Sequence, residues 1–198
     1  FPYYRLHLFD PDHPLYYDLG LGIAGSIKPK PGIVISGEIN QSVFTEFDKI
    51  FRGTKGSLPH VRTDLKPYLN ETDARINNLT GSSYYKLADD TFGRFSIGYF
   101  EPMYGGMSAE ILKQTSKNTK LGAEINYVKA RNYDQLLGFR NLAGLSKING
   151  HITGYWDTNY KYYNAKIDIG KYLAGDVGGT FTLMRTFPNG WNLGGFLL

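Results

Sequence analysis

Apolar and polar residues alternate along most of this chain with a period of two. That is the spacing of a β-strand with two unlike faces. Tyr17, Leu19, Leu21 and Ile23 alternate with Asp18, Gly20, Gly22 and Ala24. Ile33, Ile35, Gly37 and Ile39 alternate with Ser36, Glu38 and Asn40. The pattern returns as Phe95, Ile97, Tyr99 against Arg94, Ser96, Gly98, and as Met107, Ala109, Ile111 against Ser108, Glu110. It continues as Leu121, Ala123, Ile125, Tyr127 against Gly122, Glu124, Asn126, and as Ile148, Gly150, Ile152, Gly154, Trp156 against Asn149, His151, Thr153. Tyr163, Ala165, Ile167, Ile169 against Asn164, Lys166, Asp168, and Phe181, Leu183 against Thr180, Thr182, complete it. The pattern predicts an all-β, antiparallel up-and-down sheet.

Short turns are expected at Lys28 to Gly32, Ala88 to Asp90, Gln114 to Asn118, Asp157 to Asn159 and Phe187 to Gly190. Longer connections are expected at Glu101 to Gly106, Arg131 to Leu145 and Leu173 to Val177, interleaved with the short ones as outer-membrane barrels require. By that parity, 41–73 is a loop-side insertion whose two ends share a rim. Within it, Val43, Phe44, Phe47, Ile50 and Phe51 have helix-like spacing, and His60 to Lys66 alternates like a non-spanning strand. The count is about eleven spanning strands, at roughly 9–11 residues each. A faint repeat pairs Ile97-Gly98 with Ile169-Gly170, Gly106 with Gly178, and Leu121-Gly122 with Leu193-Gly194.

Alternation alone does not say which face is inside, and a soluble sandwich or barrel with rim tyrosines stays open. Two features favour apolar residues outside. The polar face carries charges in several strands, as a wet lumen tolerates. Aromatics gather at strand ends (Tyr16-Tyr17, Tyr84-Tyr85, Tyr99-Phe100, Tyr155-Trp156, Tyr162-Tyr163), like interfacial girdles. No run approaches the ~18 apolar residues of a spanning helix, and closed barrels are the other way across a bilayer. The expectation is a transmembrane β-barrel segment occupying 1–198, with Leu21, Ile35, Ile97, Ile125, Ile167 and Leu183 facing lipid. The chain opens without Met and closes on Phe196-Leu197-Leu198 in mid-strand, so it reads as a fragment of a longer protein.

Composition removes several chemistries. With no Cys there is no disulfide framework, thiolate metal site or Cys nucleophile. The net charge of +4 is spread among acids rather than gathered into a stripe, which argues against nucleic acid. Gly105-Gly106 and Gly178-Gly179 lack the Lys-Ser/Thr and helix of a phosphate loop; bulges or tight bends are expected there. His7, His13, His60 and His151 lie far apart without metal-ligand spacing. No cofactor or metal is expected. Ser96, Ser108 and His151 share a predicted polar face, but GxSxG is missing.

Longer strings are more specific. They are Arg5 to Pro11, His13 to Gly20, Leu58 to Asp64, Gly98 to Gly106, Gly122 to Lys129 and Gly170 to Asp176, with Asp134-Gln135 and Gly138-Phe139. Together, over nearly the whole chain, they resemble the YjbH (YbjH) family of exopolysaccharide-biosynthesis proteins, whose members are much longer. The turn at 115–119, Thr-Ser-Lys-Asn-Thr, is more polar than the family pattern leads one to expect.

The resemblance implies a bacterial outer-membrane barrel tied to exopolysaccharide production or export, and no enzyme activity. Its expected partners are outer-membrane lipid, exopolysaccharide and other secretion proteins. The alternatives are a structural scaffold for those proteins and, further off, an outer-membrane hydrolase. Glycans are held by aromatic faces and by hydrogen bonds from Asp, Glu, Asn and Arg. The candidate glycan contacts are Arg94, Glu110, Glu124, Lys166 and Asp168 in the lumen. In the loops they are Tyr104, Arg131, Tyr133 and Asp176, alongside Asp134, Phe139 and Arg140.

Overall fold

The computed structural model describes residues 1–9, 13–49, 61–62, 67–68 and 72–198. The strands are β1 (Pro2–Leu8), β2 (Leu15–Lys30), β3 (Ile33–Thr45), β4 (Ala74–Ala88), β5 (Thr91–Tyr99) and β6 (Tyr104–Gln114), then β7 (Thr119–Arg131), β8 (Phe139–Arg140), β9 (Ile148–Asp157), β10 (Tyr163–Lys171), β11 (Val177–Thr186) and β12 (Asn192–Leu197). All twelve belong to one sheet, each long strand next to its neighbour in sequence, with β8 as a side branch on β7. The order ends at β1 and β12 without closing. Among the described residues no helix is long and apolar enough to cross a membrane. The chain forms two compact units. The first is Phe1–Ser82, Ile97–Gly106 and Val128–Leu145; the second is Ser83–Ser96, Met107–Tyr127 and Ser146–Leu198.

In the first unit, β1 and β2 pair Tyr3, Arg5 and His7 with Gly20, Asp18 and Tyr16 on one face. The other face pairs Tyr4, Leu6 and Leu8 with Leu19, Tyr17 and Leu15. The turn from β2 to β3 is tighter than the proline spacing suggests. Lys30 pairs Ile33 across Pro31-Gly32, and Gly32 has φ 80°, which Gly adopts without steric cost. Along β2 and β3, Leu19 faces Phe44 but Gly20 faces Ser42, so Val43 is the extra residue of a β-bulge.

That bulge corrects the helix expected from Val43 and Phe44. One inserted residue shifts the apolar side chains by one position, and the shift mimics helical spacing. Phe47 lies in a 3-10 turn, Phe47–Lys49, buried against Tyr16; Ile50, Phe51 and most of His60 to Lys66 lie outside the described residues. The Ser42 N–H donates to the Asp73 carbonyl at 2.9 Å, which brings the two ends of 41–73 together.

In the second unit the pairing of β7, β9, β10 and β11 builds continuous rows. One face carries Glu124-His151-Gly170-Gly178 and Gly122-Thr153-Asp168-Thr180. The opposite face carries Ala123-Ile152-Ile169-Gly179 and Leu121-Gly154-Ile167-Phe181. The separation loosens at the end of the order: Met184 follows the polar row of Thr182, and Arg185 lies beside Tyr163 and Phe187 rings at 5.5 and 4.5 Å.

Burial is inverted relative to a water-soluble domain. Leu21, Ile35, Ile97, Ile125, Ile167 and Leu183 are all exposed, whereas Asp18, Arg75, Arg131 and Gln135 are at most 1% exposed. A soluble fold does the reverse.

The connections do not keep the expected alternation of lengths. Glu101 to Gly106 is expected to be long, yet β6 already begins at Tyr104. The Tyr104 carbonyl accepts both the Phe100 and Glu101 N–H groups, which closes a tight bend. Gly98, just before this bend, sits where a Cβ would strike the Leu79 carbonyl, at φ 137°. The polar turn at 115–119 is tied by its own hydroxyls, with Thr115 to Thr119 at 2.8 Å and Ser116 to Thr119 at 2.7 Å.

Candidate functional site

The polar face of the second unit brings five candidate residues together. Arg94 on β5 reaches Glu110 on β6 at 2.9 Å and Glu124 on β7 at 3.0 Å. Glu124 also accepts from Asn126 Nδ2 at 2.7 Å. Lys166 meets Asp168 at 3.0 Å within β10, and the Thr153 hydroxyl donates to Asp168 at 2.7 Å. These side chains are only partly withdrawn from solvent, so each pair is worth little as stability. Their value is orientation.

Glu110, Glu124, Lys166 and Asp168 border a cavity of about 230 Å³ with His151, Tyr155 and Tyr172. The His151 ring meets Tyr172 edge-on at 4.7 Å, and the Tyr172 and Thr180 hydroxyls share a hydrogen bond at 2.5 Å. Asn126, Asn149, Tyr155 and Tyr172 are absent from the sequence-based site. The parity of β9 identifies Asn149 and Tyr155, and only the strand registers bring Tyr172 to His151.

The loop candidates are placed differently. Arg131 and Tyr104, expected as glycan contacts, are buried and engaged by the first unit itself. Arg131 donates to the carbonyls of Ile76 and Glu101, each at 2.8 Å, and of Gln135 at 2.5 Å, with the Tyr99 ring 4.4 Å from the guanidinium. The Tyr104 hydroxyl donates to the Val61 carbonyl, and Arg62 lies over its ring at 5.3 Å while pairing with Glu101 at 2.6 Å. A side chain spent on backbone carbonyls is structural. Tyr133 packs edge-on against Tyr68 at 5.0 Å and carries Arg140 at 4.1 Å. Asp134 accepts from the Leu136 N–H, and Phe139 lies 5.3 Å from Tyr99. Asp176, in the second unit, is exposed, and its carbonyl accepts from Tyr172 N–H at 2.9 Å.

The first unit holds a second ionic cluster that patterning did not single out. Asp18, fully buried, accepts from Arg75 at 2.6 Å, Arg5 Nε at 2.9 Å and the Ser42 hydroxyl at 2.6 Å. Arg75 also donates to Ser42 at 2.8 Å and to the Tyr3 hydroxyl at 2.7 Å.

Among the described residues no group of His, Asp and Glu has the arrangement of a metal site. His151 faces Tyr172, and its Nε2 has no hydrogen-bond partner among the described residues.

A sheet that pairs its ions on one face and displays its large aliphatics on the other defines an all-β antiparallel protein with two unlike faces, and comparison with known sequences makes the class specific. Residues 1–197 match the family model described as "Exopolysaccharide biosynthesis protein YbjH", and the chain belongs to that family, YjbH. It is 30% identical over 192 residues, 94% of its length, to the "Uncharacterized lipoprotein YjbH" of Escherichia coli (strain K12). It spans 27% of that relative's length. No solved structure matches the chain.

Proposed function

We propose that this chain is part of an outer-membrane β-barrel that passes or anchors exopolysaccharide and catalyses no reaction. The observation that carries this reading is the inversion of polarity. A face of exposed Leu and Ile suits lipid, and a face of paired ions around a cavity suits a hydrated interior. Family membership points to exopolysaccharide production, and the relative's name, a lipoprotein, is consistent with the cell envelope. Under this reading the edges of β1 and β12 are paired in the whole protein, because an open edge is not tolerated in hydrocarbon.

The experiment is conductance of the full-length protein in planar bilayers, with exopolysaccharide from the producing cells added to one side. Channels that the polysaccharide blocks are expected. A protein that stays in the aqueous fraction, or forms channels indifferent to the polysaccharide, would contradict the reading.

A further inference from the structure

We infer that the polar pocket of the second unit takes a neutral, hydroxyl-rich sugar residue and turns acidic sugars away. The inference rests on the glycan-handling reading above and sharpens it to a substrate class. The charges of the pocket are consumed internally. Arg94 is held between two carboxylates, at 2.9 and 3.0 Å, and Lys166 is held by Asp168 at 3.0 Å. The cavity's own lining therefore sets one cation, Lys166, against three carboxylates, Glu110, Glu124 and Asp168, two of which are tied to Arg94 outside it. A sugar bearing its own carboxylate enters a field of net negative charge, and like charges in one site are costly.

What the face offers instead is uncommitted hydrogen bonding. Asn149 and Ser108 are only 7% and 6% exposed, yet Asn149 Nδ2 and Ser108 Oγ have no partner among the described residues. His151 Nε2 and Arg94 Nε share that condition. A buried polar atom left unpaired costs roughly 1–3 kcal/mol; all four on this face are able to donate, and His151, which borders the cavity itself, is placed to meet a ligand hydroxyl. The registers put Asn149 and His151 on one face of β9, opposite Asn126 and Glu124. Beyond His151 the row runs into Gly170 and Gly178, and the Tyr172 ring stands against His151. An aromatic wall over a polar floor suits a pyranose, which has an apolar C–H face and a rim of hydroxyls.

The test measures binding of a neutral glucan oligomer and of an oligogalacturonate of equal length to the full-length protein in detergent. The neutral oligomer is expected to bind about tenfold tighter or more. Asn149→Leu with His151→Phe should weaken neutral binding about tenfold. Glu110→Gln, on a partly exposed side chain, should keep the fold and strengthen acidic binding by removing one carboxylate from the cavity wall; this gain is read even where the double variant fails to fold. Acidic binding equal to neutral, or no gain in Glu110→Gln, overturns the charge argument and leaves glycan handling standing. Neutral binding untouched in a folded double variant places the sugar elsewhere and overturns the site. If neither oligomer binds, the inference falls; if the native polysaccharide also leaves conductance unchanged, the broader reading falls with it.

Discussion

Arg75 donates to Asp18 at 2.6 Å, with both side chains withdrawn from solvent. Each is 1% exposed or less, so neither ion has water to fall back on. Removing one partner strands the other. Asp18→Asn is expected to destabilise the protein by about 3–5 kcal/mol, the cost of an uncompensated buried charge. Thermal unfolding of the purified protein in detergent measures it. A loss near zero would mean that Asp18 is hydrated.

Ile167 and Lys166 are adjacent on β10 and belong to opposite faces. With Ile167 against lipid near the midplane, Ile167→Arg should cost about 2–4 kcal/mol, while Lys166→Gln should cost little. Folding loss does not separate lipid from an apolar core, but the medium does. In this cysteine-free chain a single introduced Cys carries a spin label. In bilayers the label at 167 should be reached by oxygen and the label at 166 by a water-soluble relaxer. Equal access to the aqueous reagent at both positions would defeat the membrane assignment.

Gly98 and Gly81 make a matched pair of alanine tests. Gly98 has φ 137° and no room for a methyl beside Leu79, whereas Gly81 faces open space. Gly98→Ala should destabilise by about 1–3 kcal/mol. Gly81→Ala should be neutral or stabilise by up to about 1 kcal/mol, through the unfolded chain. Comparison of the two melting curves decides; similar losses would mean that crowding at Gly98 is relieved in solution.

Burial holds the Tyr68 phenol above its ordinary range, and its hydroxyl donates to the Arg131 carbonyl at 2.8 Å. The folded protein therefore keeps this proton more tightly than the unfolded chain. The associated stability is fully present below the unfolded phenol value of about 10 and is lost as pH climbs from there through the folded value. Alkaline melting curves of the parent protein should fall more steeply than those of Tyr68→Phe. Parallel curves would refute the linkage.

Much of the fold was legible because a strand with two unlike environments writes its period into the chain. Ile167 beside Lys166, and Ile125 beside Glu124, announce both the strands and their faces. Among the described residues the sheet holds eleven strands of six residues or more, with the two-residue β8 beside β7. The period fails where the backbone inserts a residue, and Val43 turned a bulge into an apparent helix. Five lumen candidates meet because alternation places them on one face. Arg131 and Tyr104 were misread because a connecting segment shows polarity but not whether its side chains are already used by backbone carbonyls. Tyr172 escaped because its contact with His151 depends on register, and a single sequence carries no record of register.

Arg131 collects carbonyls from Ile76, Glu101, Gln135 and Leu136. The consequence is one of timing. Three separate stretches of chain must already be in place before its two terminal nitrogens exchange water for carbonyl acceptors, and until then burying it is uphill. The connection after β7 therefore orders late, once its neighbours have formed. Arg131 acts as a check on assembly: a first unit with a misplaced strand leaves a bare cation at its centre and stays open to proteolysis or another attempt.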